Sequence, residues 1–329
     1  LEFHGGNRRE YQFCIMCHQP QSVDPESGNT VDMVEMIHKI HMGKNLPSVL
    51  DDTPYQIIGH GGTVYDYSTI VFPQDVRNCT TCHKDAPQAD VWMTRPTVAG
   101  CISCHDRTWF ANQGALPQGY SLHPHNISSQ SDCSACHSED VIPIGDSHAI
   151  PTKQGPGMEY TITGITTVPV GEAGDVNIVV DFTLEELDGT PITSIATLPS
   201  VSSNILVAWP APEFLDYASE DLKTEPAGLV NHGDGSYTYT TTLAVPADST
   251  TYAVAFTGRY NFPYGEGTAR TATSSSGYTE FTVDGSDVQP RRLVVDPEAC
   301  NKCHGEIRFH GDQRYGVEVC LMCHRPNET

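Results

Sequence analysis

Residues 101–105 read Cys101-Ile102-Ser103-Cys104-His105, and the same C-x-x-C-H spacing recurs at Cys14, Cys17 and His18; Cys79, Cys82 and His83; Cys133, Cys136 and His137; Cys300, Cys303 and His304; and Cys320, Cys323 and His324. The six copies absorb all 12 cysteines of the 329-residue chain. Two thiols at this spacing can add across the two vinyl groups of a haem, and the histidine that follows directly then meets the iron from the proximal side. Structural zinc and redox disulfides also use C-x-x-C pairs. Neither requires a histidine after the second cysteine in every copy. The reading is therefore six covalently bound haem c groups, with His18, His83, His105, His137, His304 and His324 as proximal iron ligands. Covalent haem attachment takes place beyond the cytoplasmic membrane, which makes this an exported chain.

Working outward, the motifs occupy residues 14–137 and 300–324, with no cysteine between. This divides the chain into a first multihaem domain, residues 1–150, a cysteine-free domain, residues 151–292, and the start of a second multihaem domain, residues 293–329. In the middle domain Val176, Ile178, Val180, Phe182 and Leu184 alternate with mostly polar neighbours before the turn Asp188-Gly189. Tyr237, Tyr239, Leu243 and Val245 follow Asp234-Gly235, and Tyr252, Val254 and Phe256 repeat the pattern. Alternation with turn signals predicts an antiparallel β domain, a sandwich or a Greek-key, split-barrel-like fold. The flanking haem segments have little regular pattern beyond one helix over Val31–Met42 closed by Gly43.

The apolar share, 38%, is low for a chain relying on side-chain cores alone, so the haems themselves are expected to supply buried mass. Eighteen Lys and Arg against 41 Asp and Glu leave a formal charge of -23, which argues against nucleic acid and anionic lipid as partners. No stretch has the length or apolarity of a membrane-spanning helix. The opening Leu1-Glu2-Phe3-His4-Gly5-Gly6 reads as interior sequence rather than a secretion signal, and a signal or lipid-anchoring cysteine is expected upstream. No loop has the ligand spacing of a calcium site.

An internal repeat locates further ligands. Phe3-His4-Gly5-x-x-Arg8 through Cys14-x-Met16-Cys17-His18-x-Pro20 matches Phe309-His310-Gly311-x-x-Arg314 through Cys320-x-Met322-Cys323-His324-x-Pro326, at a constant offset of 306. Cys300-x-x-Cys303-His304-Gly305 precedes the second copy, which predicts a C-x-x-C-H-G upstream of the first. Of the 15 histidines, His4 and His310 hold equivalent repeat positions. His38 and His41 fall on one helical face with Val31 and Val34. His148 follows the fourth motif closely, and His123 is preferred over His125 in Leu122-His123-Pro124-His125. These six are the expected distal ligands, giving bis-histidine iron with no open position, an arrangement that suits an electron carrier rather than an enzyme with a substrate-binding haem. His60, in Gly59-His60-Gly61-Gly62, and His232, in Asn231-His232-Gly233, read as turn residues.

Met36-Ile37-His38-Lys39-Ile40-His41, Tyr55-Gln56-Ile57-Ile58-Gly59, Phe72-Pro73-Gln74-Asp75-Val76-Arg77-Asn78-Cys79 and the Phe-His-Gly block together resemble the OmcA/MtrC family of outer-membrane decahaem cytochromes. The resemblance covers essentially the whole chain. It implies alternating β and pentahaem domains, a position on the outer membrane surface or outside the cell, redox partner cytochromes or an outer-membrane electron conduit, and metal oxides or flavins as acceptors. On that plan the chain corresponds to haems two to five of the first pentahaem domain, the second β domain and the first two haems of the next. It departs from the plan in having six motifs rather than ten, no first β domain, and no cysteine pair within the β domain.

Three functions follow from these residues. The first is a surface electron conduit, favoured by short gaps between motifs that crowd neighbouring porphyrins. The second is a homopolymeric haem filament, suggested by similar blocks near both ends of the chain. The third, a multihaem reductase of a small nitrogen compound, requires a five-coordinate iron and is disfavoured by the ligand count. Alanine at both cysteines of any one motif is expected to lower the intact mass of the mature protein by one haem; an unchanged mass would remove that motif from the set.

Overall fold

The computed structural model describes residues 3–110, 115–125, 127, 133–150, 155, 157–171, 174–199, 201–248, 250–264, 267–272 and 277–325. Pro326, which ends the repeated block, and the opening Leu1-Glu2 lie outside them. The chain divides into two compact units, Leu1–Ala149 and Ile150–Thr329. The last two haem motifs thus share a unit with the cysteine-free segment.

The first unit is built from short pieces. A seven-residue helix, Tyr11–Cys17, carries the first motif. The longest helix runs from Met33 to Met42. It starts two residues later than the sequence pattern suggests, because the Asp32 carboxylate accepts from the Val34 N–H at 2.9 Å and caps the helix, leaving Val31 outside it. It ends where expected: Gly43 has φ of +51°, and its N–H returns to the Lys39 carbonyl. A side chain at Gly43 would also collide with the Ile70 carbonyl. A hairpin of Gln56–Gly59 and Thr63–Asp66 closes through the turn at His60–Gly62, as read from its glycines. Among the described residues of this unit only two hydrophobic side chains, Leu46 and Tyr55, are fully buried. A unit of this size cannot rest on so small a side-chain core, which agrees with haem as its missing apolar interior.

The second unit has the opposite character. Its strands are β1 (Glu159–Val170), β2 (Asp175–Glu185), β3 (Ser202–Trp209), β4 (Asp216–Asp221), β5 (Leu229–Asn231), β6 (Ser236–Pro246), β7 (Thr251–Tyr264), β8 (Gly267–Ala272) and β9 (Tyr278–Thr282). They form two antiparallel sheets, β1-β2-β6-β5 and β8-β7-β3-β4, with β9 added to β7. The alternating residues of β2, from Val176 to Leu184, all point into the shared core, as do Tyr237, Tyr239 and Val245 of β6 and Tyr252, Val254 and Phe256 of β7. A register shift between Thr240 and Ala244 interrupts β6, and Leu243 is only partly buried. Aromatic rings join the sheets: Phe256 lies 4.8 Å from Tyr160 and 4.4 Å from Phe182, which in turn stacks on Tyr237 at 5.2 Å.

Strand β7 is buried on both faces. Its alternate residues Ala253 and Ala255 join Leu206, Ala208 and Phe214 in a second cluster completed by Val319 and Met322 of the helix Val317–Cys323. The final haem motif is thereby seated on the back of a sheet. Polar contacts reinforce the seat: Gln313 Nε2 donates to Asn204 Oδ1 at 2.6 Å, Arg314 Nη1 to Thr257 Oγ1 at 2.5 Å, and the Arg325 guanidinium packs over Tyr217 at 5.1 Å.

Phe256→Ala removes the ring that bridges the two sheets, and is expected to destabilise the β domain by about 3–5 kcal/mol, read as a shift in the denaturant midpoint of its strand signal.

Candidate haem centres

Each motif is a single helical turn. The N–H groups of His18, His83, His105, His137 and His324 reach the carbonyl of the first cysteine of their own motif at 2.8–2.9 Å. Residues at i, i+3 and i+4 of such a turn share a face, so both thiols and the imidazole are presented to one porphyrin. None of the 12 cysteines is joined in a disulfide.

The sequence treats the two cysteines of a motif as equivalent attachment points, and the structure separates them. The first cysteines, Cys14, Cys79, Cys101, Cys133, Cys300 and Cys320, are all half-buried, whereas the second is exposed in four motifs, at Cys17, Cys82, Cys136 and Cys303. Only Cys104 and Cys323 are half-buried second cysteines. Helix length does not account for this, since Cys303 lies inside the helix Pro297–His304 and is exposed, whereas Cys104 lies beyond the helix Val98–Ile102 and is half-buried. An exposed thiol beside its imidazole, as at Cys82 and Cys136, is accessible to a vinyl carbon. Burial pushes the thiols of Cys79, Cys101, Cys104 and Cys320 up, favouring the protonated form. Cys79 also senses Cys104, and Cys101 senses Cys133. Motif 79–83 therefore adjoins motif 101–105, which adjoins motif 133–137.

Five of the six histidines expected as distal ligands each face a motif histidine. Ring centroids are 6.1 Å apart for His4 and His18, 6.1 Å for His38 and His83, 6.0 Å for His148 and His105, 6.3 Å for His123 and His137, and 6.1 Å for His310 and His324. A metal–imidazole bond is about 2 Å long, so two opposed rings sharing one metal have centroids roughly 6 Å apart. Direct stacking contact would bring them closer. The spacing fits an iron between each pair, and the donor set, two neutral imidazoles plus two thiols, fits haem c. The twist between rings varies, from 2° for His38 and His83 to 67° for His105 and His148.

Several of these rings are oriented by backbone carbonyls. His38 Nδ1 donates to the Val34 carbonyl at 2.6 Å, His41 Nδ1 to Ile37 at 2.8 Å, and His148 Nδ1 to Ile144 at 2.8 Å, each one helical turn back. His123 Nδ1 donates to the His125 carbonyl at 2.9 Å, and proximal His18 to Val31 at 2.7 Å. A proton fixed on Nδ1 leaves the Nε2 lone pair free for metal. Burial, assisted by the facing His38, holds His83 below the ordinary imidazole value; burial and the facing His148 do the same for His105. Both are thereby biased toward the neutral form.

The two repeat copies build the same local site. His4 and His310 have φ of 51° and 56°, followed by Gly5 and Gly311 at 74° and 67°. The bridge from Phe3 to Arg8 recurs between Phe309 and Arg314. Rings meet at 32° in the first copy and 36° in the second. A left-handed histidine is unusual, and its recurrence beside a candidate iron marks a constrained site.

Two of the expected ligands stand apart. His41 meets Phe72 edge-on at 5.6 Å, and among the described residues neither His41 nor His304 forms a ring pair with another histidine. His125 contributes its carbonyl to orient His123, and His232 bonds Thr238 Oγ1 at 3.1 Å beside its turn.

Other site residues were not visible in the sequence pattern. Phe110 stacks on His123 at 4.9 Å, and Trp92 flanks His83 at 6.3 Å. The Lys39 ammonium meets the Asp106 carboxylate at 2.8 Å, with both side chains about nine-tenths buried. Adjacency in sequence, Lys39 to His38 and Asp106 to His105, was the only available signal for that pair.

The family model described as outer membrane cytochrome MtrC/MtrF-like, domains II/IV, matches residues 1–149 and 292–329. Two crystal structures are similar in fold. The outer membrane decaheme cytochrome OmcA aligns at a TM-score of 0.64 with 22% identity, over 99% of this chain and 51% of that one. MtrC from Shewanella baltica OS185 aligns at 0.64 with 20% identity, over 99% and 55%. The chain thus spans about half the length of either. No curated protein matches it.

Alanine at His123 is expected to convert one iron to a high-spin species with an intact complement of covalent haem, whereas alanine at His125 leaves every iron low-spin; optical and paramagnetic resonance spectra of the ferric proteins distinguish the two.

Proposed function

Because the chain belongs to the family of MtrC/MtrF-like outer-membrane cytochromes, through its domains II/IV, we propose that it is a relay of extracellular electron transfer, passing electrons between an outer-membrane partner and acceptors such as metal oxides or flavins. The observation that carries this reading is the set of five imidazole pairs at 6.0–6.3 Å. Rings opposed in this way would hold an iron from both sides and leave it no site for a substrate. The haems, when bound, supply one-electron chemistry.

The protein's own residues hold the rings still. Nδ1–H bonds to backbone carbonyls fix His18, His38, His123 and His148, so little rearrangement accompanies a change of charge at the metal. The adjoining thiols of motifs 79–83, 101–105 and 133–137 string three centres in series through the first unit, a layout suited to conduction. On this reading the ligand pairs are His4/His18, His38/His83, His148/His105, His123/His137 and His310/His324. His304 belongs to the remaining motif, and among the described residues neither it nor His41 faces another histidine. The similar OmcA structure is that of an outer membrane decaheme cytochrome, which supports a surface location for this chain. Among the described residues no helix is long and apolar enough to cross a membrane.

The purified haem-loaded protein, reduced with dithionite and mixed with soluble ferric chelate, a flavin or a ferric oxide, is expected to be reoxidised completely by at least one of these acceptors. Failure with all of them, together with a high-spin fraction that turns over nitrite or hydroxylamine, would contradict the relay and favour a reductase.

A further inference from the structure

The helix Met33–Met42 carries two neighbouring residues that point to different centres. His38 faces His83, while Lys39, one position on and so rotated by about 100° around the axis, reaches Asp106, the residue after proximal His105. Asp106 is saturated: Oδ2 accepts from Lys39 Nζ at 2.8 Å and Ser48 Oγ at 2.6 Å, and Oδ1 from the Ser48 N–H at 3.0 Å. Tyr55, one of the two fully buried hydrophobic residues of this unit, lies under the ammonium at 5.8 Å. A buried ion pair of this kind adds little net stability compared with an apolar replacement, and is better explained by the single arrangement it imposes.

We propose that the Lys39–Asp106–Ser48 cluster is a positioning device that sets the ring plane of His38 parallel to His83 and registers that centre against the neighbouring His105 centre. This rests on the reading that the paired histidines ligate haem iron. The chain of constraint has three links. The His38 ring is tied to its helix through Nδ1–H to the Val34 carbonyl. The rotation of that helix is tied to the motif at 101–105 through Lys39 and Asp106. The carboxylate is held in turn by Ser48 on the segment that follows the helix. The outcome is an angle of 2° between His38 and His83, while the other four pairs are twisted by 32–67°. Ligand orientation by groups outside the first coordination sphere is a general feature of metal sites.

Parallel imidazole planes give ferric haem a rhombic low-spin resonance, and crossed planes a broad signal at larger g. The test is the paramagnetic resonance spectrum of the oxidised, haem-loaded protein and of Lys39→Met, Asp106→Asn and Ser48→Ala, with haem content measured alongside. The expected result is one rhombic component in the unaltered protein that diminishes in both Lys39→Met and Asp106→Asn and moves toward larger g. These two substitutions change the local charge in opposite senses. A purely electrostatic role would shift the potential of this centre in opposite directions and leave the rhombic component in place, and that result overturns the proposal. Where the charge variants lose haem, Ser48→Ala, which deletes one hydroxyl, is decisive: a broadened rhombic component supports the positioning role and an unchanged one refutes it. Absence of low-spin signals from the unaltered protein would instead defeat the ligation reading itself.

Discussion

Two imidazoles opposed across about 6 Å, in four pairs of the first unit and one of the second, form the constraint on which the motif segments depend. A ring pair at this separation is too far apart for stacking, and has the spacing of two ligands to one metal. The backbone arranges it repeatedly, at His4/His18, His38/His83, His148/His105, His123/His137 and His310/His324. The carbonyls of Val31, Val34, Ile144 and His125 fix the rings, and helix starts, turns and left-handed residues are placed to bring them there. With only Leu46 and Tyr55 fully buried among its described hydrophobic residues, the first unit has little side-chain core to order it. The β domain reverses that relation: its aromatic and aliphatic core is complete in protein alone.

The repeated block makes the contrast concrete. Both copies form the same turn, ring pair and motif helix, yet they lean on different supports. In the second copy Val319 and Met322 are 3% and 0% exposed, seated on the back of β3 and β7. Their counterparts in the first copy, Phe13 and Met16, are 54% and 66% exposed.

Much of this was legible in the residues. The C-x-x-C-H spacing determines local geometry because covalent attachment tolerates little else, and the strict alternation in β2 leaves one face to bury. What the spacing could not show is the unequal cover of its two thiols, with Cys82 and Cys136 exposed while Cys79 and Cys133 are half-buried. That difference does not follow the helix bounds, since Cys303 is exposed within its helix while Cys104 is half-buried beyond the end of one. The Met33–Met42 helix was visible apart from its start, where Asp32 intervenes as a cap. The order in which distal rings meet proximal ones was not legible, since His148 crosses back to His105 while His123 serves His137, and such pairings depend on how loops cross in space. The burial of Ala253 and Ala255 was likewise hidden, because it requires a helix more than sixty residues further on to cover a face that alternation alone leaves open. The pairing of Lys39 with Asp106 was not legible either, because two residues 67 positions apart meet only once the chain is folded.

The central claim is that iron sits between these ring pairs. It is tested most directly by near-infrared magnetic circular dichroism of the fully oxidised, haem-loaded protein, in which the charge-transfer band reports the axial ligands of low-spin ferric haem. The account predicts that bis-imidazole intensity dominates, accounting for at least the five centres whose rings are paired. A spectrum dominated by histidine–methionine or high-spin iron would contradict it.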